Sequence, residues 1–367
     1  MDMSSVIHFI EQLRDKLELH PDAKLIYSVA SCRRSLSNSV FLLGAYMIIM
    51  MRKQTAQVLD IFDWLDETDI EPFRDATFAP STFGLGLEDC WRGLEKSMAL
   101  AWVRPTTDGA LWGNINILEY RHYTTPFNGD FHEVVPGKLI AFPGPKDLAV
   151  GEYLDDTRGY RKFSPAFYAD VFASDFGVTT VVRLNEAEYE ADAFEERGIR
   201  HHDLCFDDCT CPPPCIARAF IAAADAAVGG GGAVAVHCKA GLGRTGTLIA
   251  LYMMRSFGFG AREAMGWQRI MRPGSVIGTQ QQFLCAVEAR LSLAAEMGIV
   301  SVDGTGLMCR WANTSRGRLL EEDESGNDSD WHLDAGGADA AKELAAEVAA
   351  GMERRGAARM KRSQSES

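Results

Sequence analysis

The sequence predicts an α/β protein built from two related units, only one of them chemically equipped, followed by a solvated tail. Three observations carry that prediction. Residues 24–29 (Lys-Leu-Ile-Tyr-Ser-Val) and 233–238 (Ala-Val-Ala-Val-His-Cys) both read as buried strands. Each is followed by a loop and then an apolar helix, the α/β building block that places its ligand loop at the strand's C-terminal end. Beyond residue 310 the apolar periodicity stops. Residues 321–330 form an acidic block, 339–352 are Ala/Glu-rich, and the end from 354 to 367 is basic and then Ser-rich. The acidic block buries too little apolar surface to fold and reads as disordered, 339–352 suit a short helix without a strong apolar face, and the basic end reads as a disordered tail.

Bulk properties narrow the function classes. The 367 residues carry 37 Lys and Arg against 51 Asp and Glu, a net charge of −14. That excess of acid argues against a nucleic-acid partner, because phosphate contacts need clustered Lys and Arg. The longest apolar run, residues 40–51, has 12 residues, against roughly 20 for a membrane span. It therefore reads as a buried core helix, and no membrane partner is expected. The first residues show neither a basic nor an apolar leader region. Nine cysteines, an odd count without a leader, are expected to be reduced thiols in cytoplasm or nucleus.

Between the two strand–loop–helix segments the pattern continues. Residues 138–142 and 178–184 are strand-like, 165–173 helical, and 115–123 read as an interdomain segment. The expected division is 1–112, a linker at 113–127, 128–300, and a tail at 301–367.

The chemistry is concentrated in His237-Cys238-Lys239-Ala240-Gly241-Leu242-Gly243-Arg244-Thr245-Gly246. A helix N-terminus offers unpaired N–H groups and partial positive charge, which together make an anion site. Glycines let successive N–H groups of residues 239–244 turn around one centre and cradle a phosphate. The planar fork of Arg244 suits two phosphate oxygens. Cys238 lies at the mouth of this site, where the same field favours the thiolate, an in-line nucleophile. Thr245 can donate its hydroxyl to that sulfur, while His237 reads as an orienter of the loop.

This loop resembles the signature of cysteine-dependent protein phosphatases, and in particular the cell-division-cycle-fourteen family of dual-specificity phosphatases. Residues 41–46 (Phe-Leu-Leu-Gly-Ala-Tyr), 72–76 (Pro-Phe-Arg-Asp-Ala), 128–131 (Asn-Gly-Asp-Phe) and 135–138 (Val-Pro-Gly-Lys) are similar to the family. So are 181–185 (Val-Val-Arg-Leu-Asn), 272–278 (Arg-Pro-Gly-Ser-Val-Ile-Gly) and 280–283 (Gln-Gln-Gln-Phe). The resemblance implies two tandem dual-specificity-phosphatase-like domains joined by a linker helix, the first degenerate and only the second catalytic. It implies hydrolysis of phosphoserine, phosphothreonine and phosphotyrosine through a phosphocysteine. The implied partners are phosphoproteins carrying cyclin-dependent-kinase-type sites, in the cell cycle, in nucleus and cytoplasm. No cofactor or metal is called for.

The resemblance also assigns roles. The general acid falls on Asp208, with Asp207 its rival, and Gln280 is placed to position the hydrolytic water, with Gln281 second. Departures stand beside these. Cys205, Cys209, Cys211 and Cys215 crowd the acid loop, which invites a zinc site, a redox brake on Cys238, or plain thiols. In the linker, Arg121 and Thr124 replace acids that favour basic substrates, leaving Glu119 as the groove candidate. The first unit's sheet is expected to be incomplete. Two rival readings remain: a phosphoinositide phosphatase, disfavoured by Leu242 where a second Lys is expected, and a catalytically impaired phosphoprotein-binding scaffold.

Overall fold

The computed structural model describes residues 1–30, 32–77, 80–106, 110–148, 150–157 and 159–300. The expected tail lies outside them. The first unit is helical. Its helices are α1 (Met3–Leu19), α2 (Arg33–Ile49), α3 (Thr55–Ile61) and α4 (Leu87–Ala99). Asp2 caps α1, its carboxylate accepting from Ser5 N at 2.8 Å and satisfying one of the orphan N–H groups of the first turn. The apolar run at 40–51 fills most of α2, and Val40, Phe41, Ala45, Ile48 and Ile49 are buried. A small ribbon, β1 (Leu111–Trp112) with β2 (Ile115–Asn116), leads into the short helix α5 (Ile117–Tyr123).

The second unit contains β3 (His132–Val135), β4 (Leu139–Pro143), β5 (Tyr153–Asp155), β6 (Arg161–Phe163), α6 (Pro165–Ser174), β7 (Val178–Arg183), α7 (Asp192–Glu195) and β8 (Arg200–Asp203). It continues with α8 (Pro214–Gly229), β9 (Ala233–Cys238), α9 (Gly243–Phe257), α10 (Ala261–Met271), α11 (Gln280–Ala289) and α12 (Leu291–Glu296). Five strands form one sheet in the order β3-β4-β9-β7-β8, parallel except for the antiparallel edge strand β3. Every residue of β9 is buried, as a central strand covered on both faces requires. The C-terminal ends of β4, β9 and β7 all point toward the loop that carries Cys238.

One expectation fails. Residues 24–29 form no strand and pair with none, and Ile26 is 83% exposed. A β-branched run becomes a strand only when a neighbour takes its backbone N–H and C=O groups. Among the described residues none does, and Tyr27 instead rests its ring on Phe9 with centroids 5.4 Å apart. Of the strand–loop–helix segment expected in the first unit, the helix α2 forms and the strand does not.

The units share one core. A single apolar cluster runs from α1, α2 and α4 through α9 and α10 to the sheet. Helices α4 and α10 approach closely because both offer glycine at the crossing. A Cβ on Gly266 would stand 2.3 Å from Asp89 O, and one on Gly93 would stand 2.6 Å from Glu263 O. Trp267 of α10 donates its indole N–H to Val134 O at 2.8 Å, tying this helix pair to the edge strand. The Arg269 guanidinium reaches Phe73 O at 2.9 Å and Gln281 Oε1 at 2.7 Å, and Asp75 accepts from Gly278 N at 2.8 Å and Gln281 Nε2 at 3.0 Å. Among the described residues, no helix is long and apolar enough to cross a membrane.

Candidate active site

Strand β9 ends at Cys238, which is buried, and α9 starts at Gly243. The carbonyls of the intervening loop are tied outward. Gly144 N donates to Lys239 O at 3.2 Å, and Arg272 donates to Ala240 O at 3.0 Å and Gly241 O at 2.8 Å. Leu242 O accepts from Val276 N and Gly246 N, each at 3.1 Å. In a trans peptide the C=O and the following N–H point in opposite directions. The N–H groups of Ala240, Gly241, Leu242 and Gly243 therefore face the loop's interior, forming an anion nest at a helix N-terminus. Gly241 is required twice over. Its φ is +65°, and a Cβ there would lie 2.2 Å from Phe142 O.

Arg244 is buried, and its Nη1 donates to Leu184 O at 3.0 Å and Phe206 O at 2.8 Å. These bonds fix the guanidinium plane. Its Nε lies 3.2 Å from Asp208 Oδ1, an ion-pair distance, but without an aligned hydrogen bond. Asp208 Oδ1 also accepts from Cys209 N at 3.0 Å. Asp207 is exposed and offers its backbone carbonyl to Thr210 Oγ1 at 2.7 Å. Of the two acids only Asp208 meets Arg244. Thr245 Oγ1 is buried and finds no hydrogen-bond partner, which leaves it available to a thiolate.

Gln280 and Gln281 separate as cleanly. Gln280 is buried, with Oε1 accepting from Ile277 N at 3.3 Å and Nε2 donating to Thr210 O at 2.8 Å in the acid loop. A Cβ on Gly243 would stand 3.0 Å from its Oε1. Gln281 turns toward Arg269 and Asp75 and belongs to the junction between the units.

His237 is buried, and burial pushes its pKa down to about 3. Its Nδ1 lies 3.2 Å from Cys238 O and its Nε2 lies 2.6 Å from Tyr189 Oη. Tyr189 Oη also lies 2.9 Å from His201 Nε2, whose pKa burial lowers to about 4, with the Arg183 charge adding to the effect.

The acid-loop cysteines do not converge. All eight described cysteines are free thiols, with Cys205 and Cys215 exposed and Cys209 and Cys211 half-buried. Burial raises the Cys209 and Cys211 thiols to about 11, which makes both poor attacking groups for a disulfide with Cys238. Among the described residues no group of three or more His, Cys, Asp or Glu side chains is arranged to hold a metal.

Glu119 sits apart from this cluster. It lines a neighbouring cavity with Tyr120, Tyr123, Phe131, Glu133 and Phe176. Burial raises Glu133 there to about 7, opposed by the Gly137 N–H and reinforced by Glu119. Arg121 faces away from it, 3.6 Å from Glu11 and 2.9 Å from Ser4 Oγ of α1. Sequence reasoning assigned no role to Arg272, although its segment was among those similar to the family. It gave no sign of Tyr189 or His201, which stand alone in loop and strand.

A buried Cys and Arg around a main-chain anion nest, at the end of a parallel strand, define the cysteine-dependent phosphatase class of α/β proteins. Comparison with known proteins agrees. Residues 1–97 match the family described as dual specificity protein phosphatase, N-terminal half. Residues 168–287 match the Swiss Army Knife protein, DSP-PTPase phosphatase domain. The chain is 38% identical over 273 residues to the dual specificity protein phosphatase CDC14C of Homo sapiens, covering 74% of this chain and 57% of that one. It is 35% identical over 266 residues to the tyrosine-protein phosphatase CDC14 of Saccharomyces cerevisiae, covering 71% and 46%. The chain belongs to the CDC14 family of dual-specificity phosphatases. It spans about half the length of these curated relatives. Among solved structures, the active form of Tk-PTP aligns at 25% identity and TM-score 0.33, over 41% of this chain and 89% of that one.

Proposed function

We propose that this chain is a dual-specificity protein phosphatase that removes phosphate from proline-directed phosphoserine and phosphothreonine, and from phosphotyrosine, in cell-cycle control. The observation that supports the reading is Cys238 at the base of a loop whose N–H groups face inward, with the buried Arg244 guanidinium beside it and Asp208 3.2 Å from Arg244 Nε. The substrate phosphate occupies the nest and takes over Arg244 Nε. The Cys238 thiolate then attacks phosphorus as the bond to the leaving oxygen breaks. Asp208 gives that oxygen its proton, which an alkoxide leaving group needs near neutral pH. In the second step Gln280 holds a water against the phosphocysteine, Asp208 takes the water's proton, and the thiolate departs with the Thr245 hydroxyl turned to it. Arg244 and the loop N–H groups carry the charge throughout.

The test is phosphate release from a phosphoserine-proline peptide, a phosphotyrosine peptide and a phosphoinositide, with wild type beside Cys238→Ser. Turnover of both peptides, lost in the variant, is the expected result. Phosphopeptide binding without turnover in wild type would install the scaffold reading instead, and turnover of the phosphoinositide alone would install the lipid one.

A further inference from the structure

The bonds that turn the loop carbonyls outward come from elsewhere in the fold, and one of them passes through three side chains. His237 Nδ1 lies 3.2 Å from Cys238 O. A carbonyl only accepts, so Nδ1 carries a proton. The ring is fully buried and sits against Phe142, centroids 4.8 Å apart, so it holds a single proton and its Nε2 is bare. Tyr189 Oη, 2.6 Å from that nitrogen, must then be the donor. With its one proton given to His237, the Tyr189 oxygen accepts from His201 Nε2 at 2.9 Å. Arg183 holds Tyr189 in place, its Nη1 donating to Tyr189 O at 2.6 Å while its fork grips Asp203 at 2.5 and 2.9 Å. Each bond has one allowed direction.

We infer that Tyr189 is a positioning residue for catalysis, selecting the His237 tautomer that holds the Cys238 carbonyl outward. With that carbonyl outward, the Lys239 N–H faces the phosphate site beside the Cys238 sulfur. Without the Tyr189 hydroxyl, His237 is free to place its proton on Nε2. Its bare Nδ1 then faces the Cys238 carbonyl lone pairs, and the first N–H of the nest loses its direction. Phosphate binding by the remaining N–H groups and Arg244 is left largely intact, while the N–H beside the sulfur loses its fixed direction. The inference rests on Cys238 being the reacting thiol.

Alkylation of Cys238 by iodoacetate as a function of pH reads the thiolate without any phosphate ester. In Tyr189→Phe the rate curve moves to higher pH, with a rate at pH 6 about three- to tenfold below wild type, the scale of one buried hydrogen bond. For a phosphopeptide kcat falls by a similar factor and KM holds. In His237→Asn the amide N–H meets the Cys238 carbonyl whatever Tyr189 does, so adding Tyr189→Phe moves the curve no further. Superimposable curves for wild type and Tyr189→Phe overturn the inference, as does an equal shift in both backgrounds. The imidazole ¹⁵N shifts of His237 in wild-type protein decide it independently of any variant: a bare Nδ1 ends it. The expected alkylation shift in a chain that turns over no phosphoester would defeat the enzymatic reading and leave standing the role of Tyr189 in aligning the Cys238 loop.

Discussion

At the scale of single residues, the two acids of one loop give the sharpest prediction. Asp208 stands 3.2 Å from Arg244 Nε, whereas Asp207 is exposed. Asp208→Asn should lower kcat on a phosphoserine peptide by about 10²–10⁴-fold, the usual worth of a positioned acid. Asp207→Asn should stay within about threefold, and steady-state kinetics across pH 5–8 would check both. Gln280→Ala should slow breakdown of the phosphocysteine and raise its burst amplitude in rapid-quench experiments. Gln281→Ala should instead lower the melting temperature, since that side chain braces Arg269 and Asp75.

The buried histidines also set an acid limit on stability. His237 and His201 hold folded-state pKa values of about 3 and about 4, below the roughly 6.5 of an unfolded chain. Between those values the unfolded state binds more protons, so stability falls as pH drops from about 6.5 toward 4. Denaturant melts at pH 7, 6 and 5 should show this decline, partly offset by the Glu133 carboxyl, which burial raises to about 7 and which contributes the opposite slope. His201→Gln should flatten it by up to one proton; an unchanged slope would mean His201 titrates normally in the fold.

At the scale of elements, local chemistry was legible and remote pairing was not. The unit β9–loop–α9 was readable because strand, glycines, Cys238, Arg244 and helix follow one another in the chain. The strand expected at 24–29 did not form, because a strand's identity depends on a partner that no local pattern reveals. Arg272, Tyr189 and His201 escaped for the same reason. They act on the loop from 31, 48 and 36 residues away; the segment of Arg272 resembles the family but does not show what its side chain grips, and nothing local marks Tyr189 or His201. The close approach of the loop to β4 gives the element-scale test. Gly241→Ala meets both a positive φ and a 2.2 Å contact with Phe142 O. It should weaken binding of a phosphate analogue such as tungstate at least tenfold in calorimetry, and lower the melting temperature as well.

At the scale of the whole molecule, the two units are a single folding body in the sense that matters for stability. Trp91 packs against Phe62, and Trp102 contacts Phe257, Phe259 and Trp267 across the seam. Thermal unfolding followed by tryptophan fluorescence and by far-UV circular dichroism should give coincident transitions. Two separated steps would show that the shared cluster does not couple the units. Gly266→Leu, which forces a side chain against Asp89 O, should lower the midpoint for both probes together.

The outward-tied carbonyls have one more consequence. The anion seat is made of main chain, and apart from Gly241 and Gly243 the side chains of the loop contribute little to its shape. Lys239 projects into solvent and Leu242 lines a separate cavity with Thr124, His132 and Pro273. Substitution of either side chain should therefore leave phosphate binding by the main-chain seat unchanged.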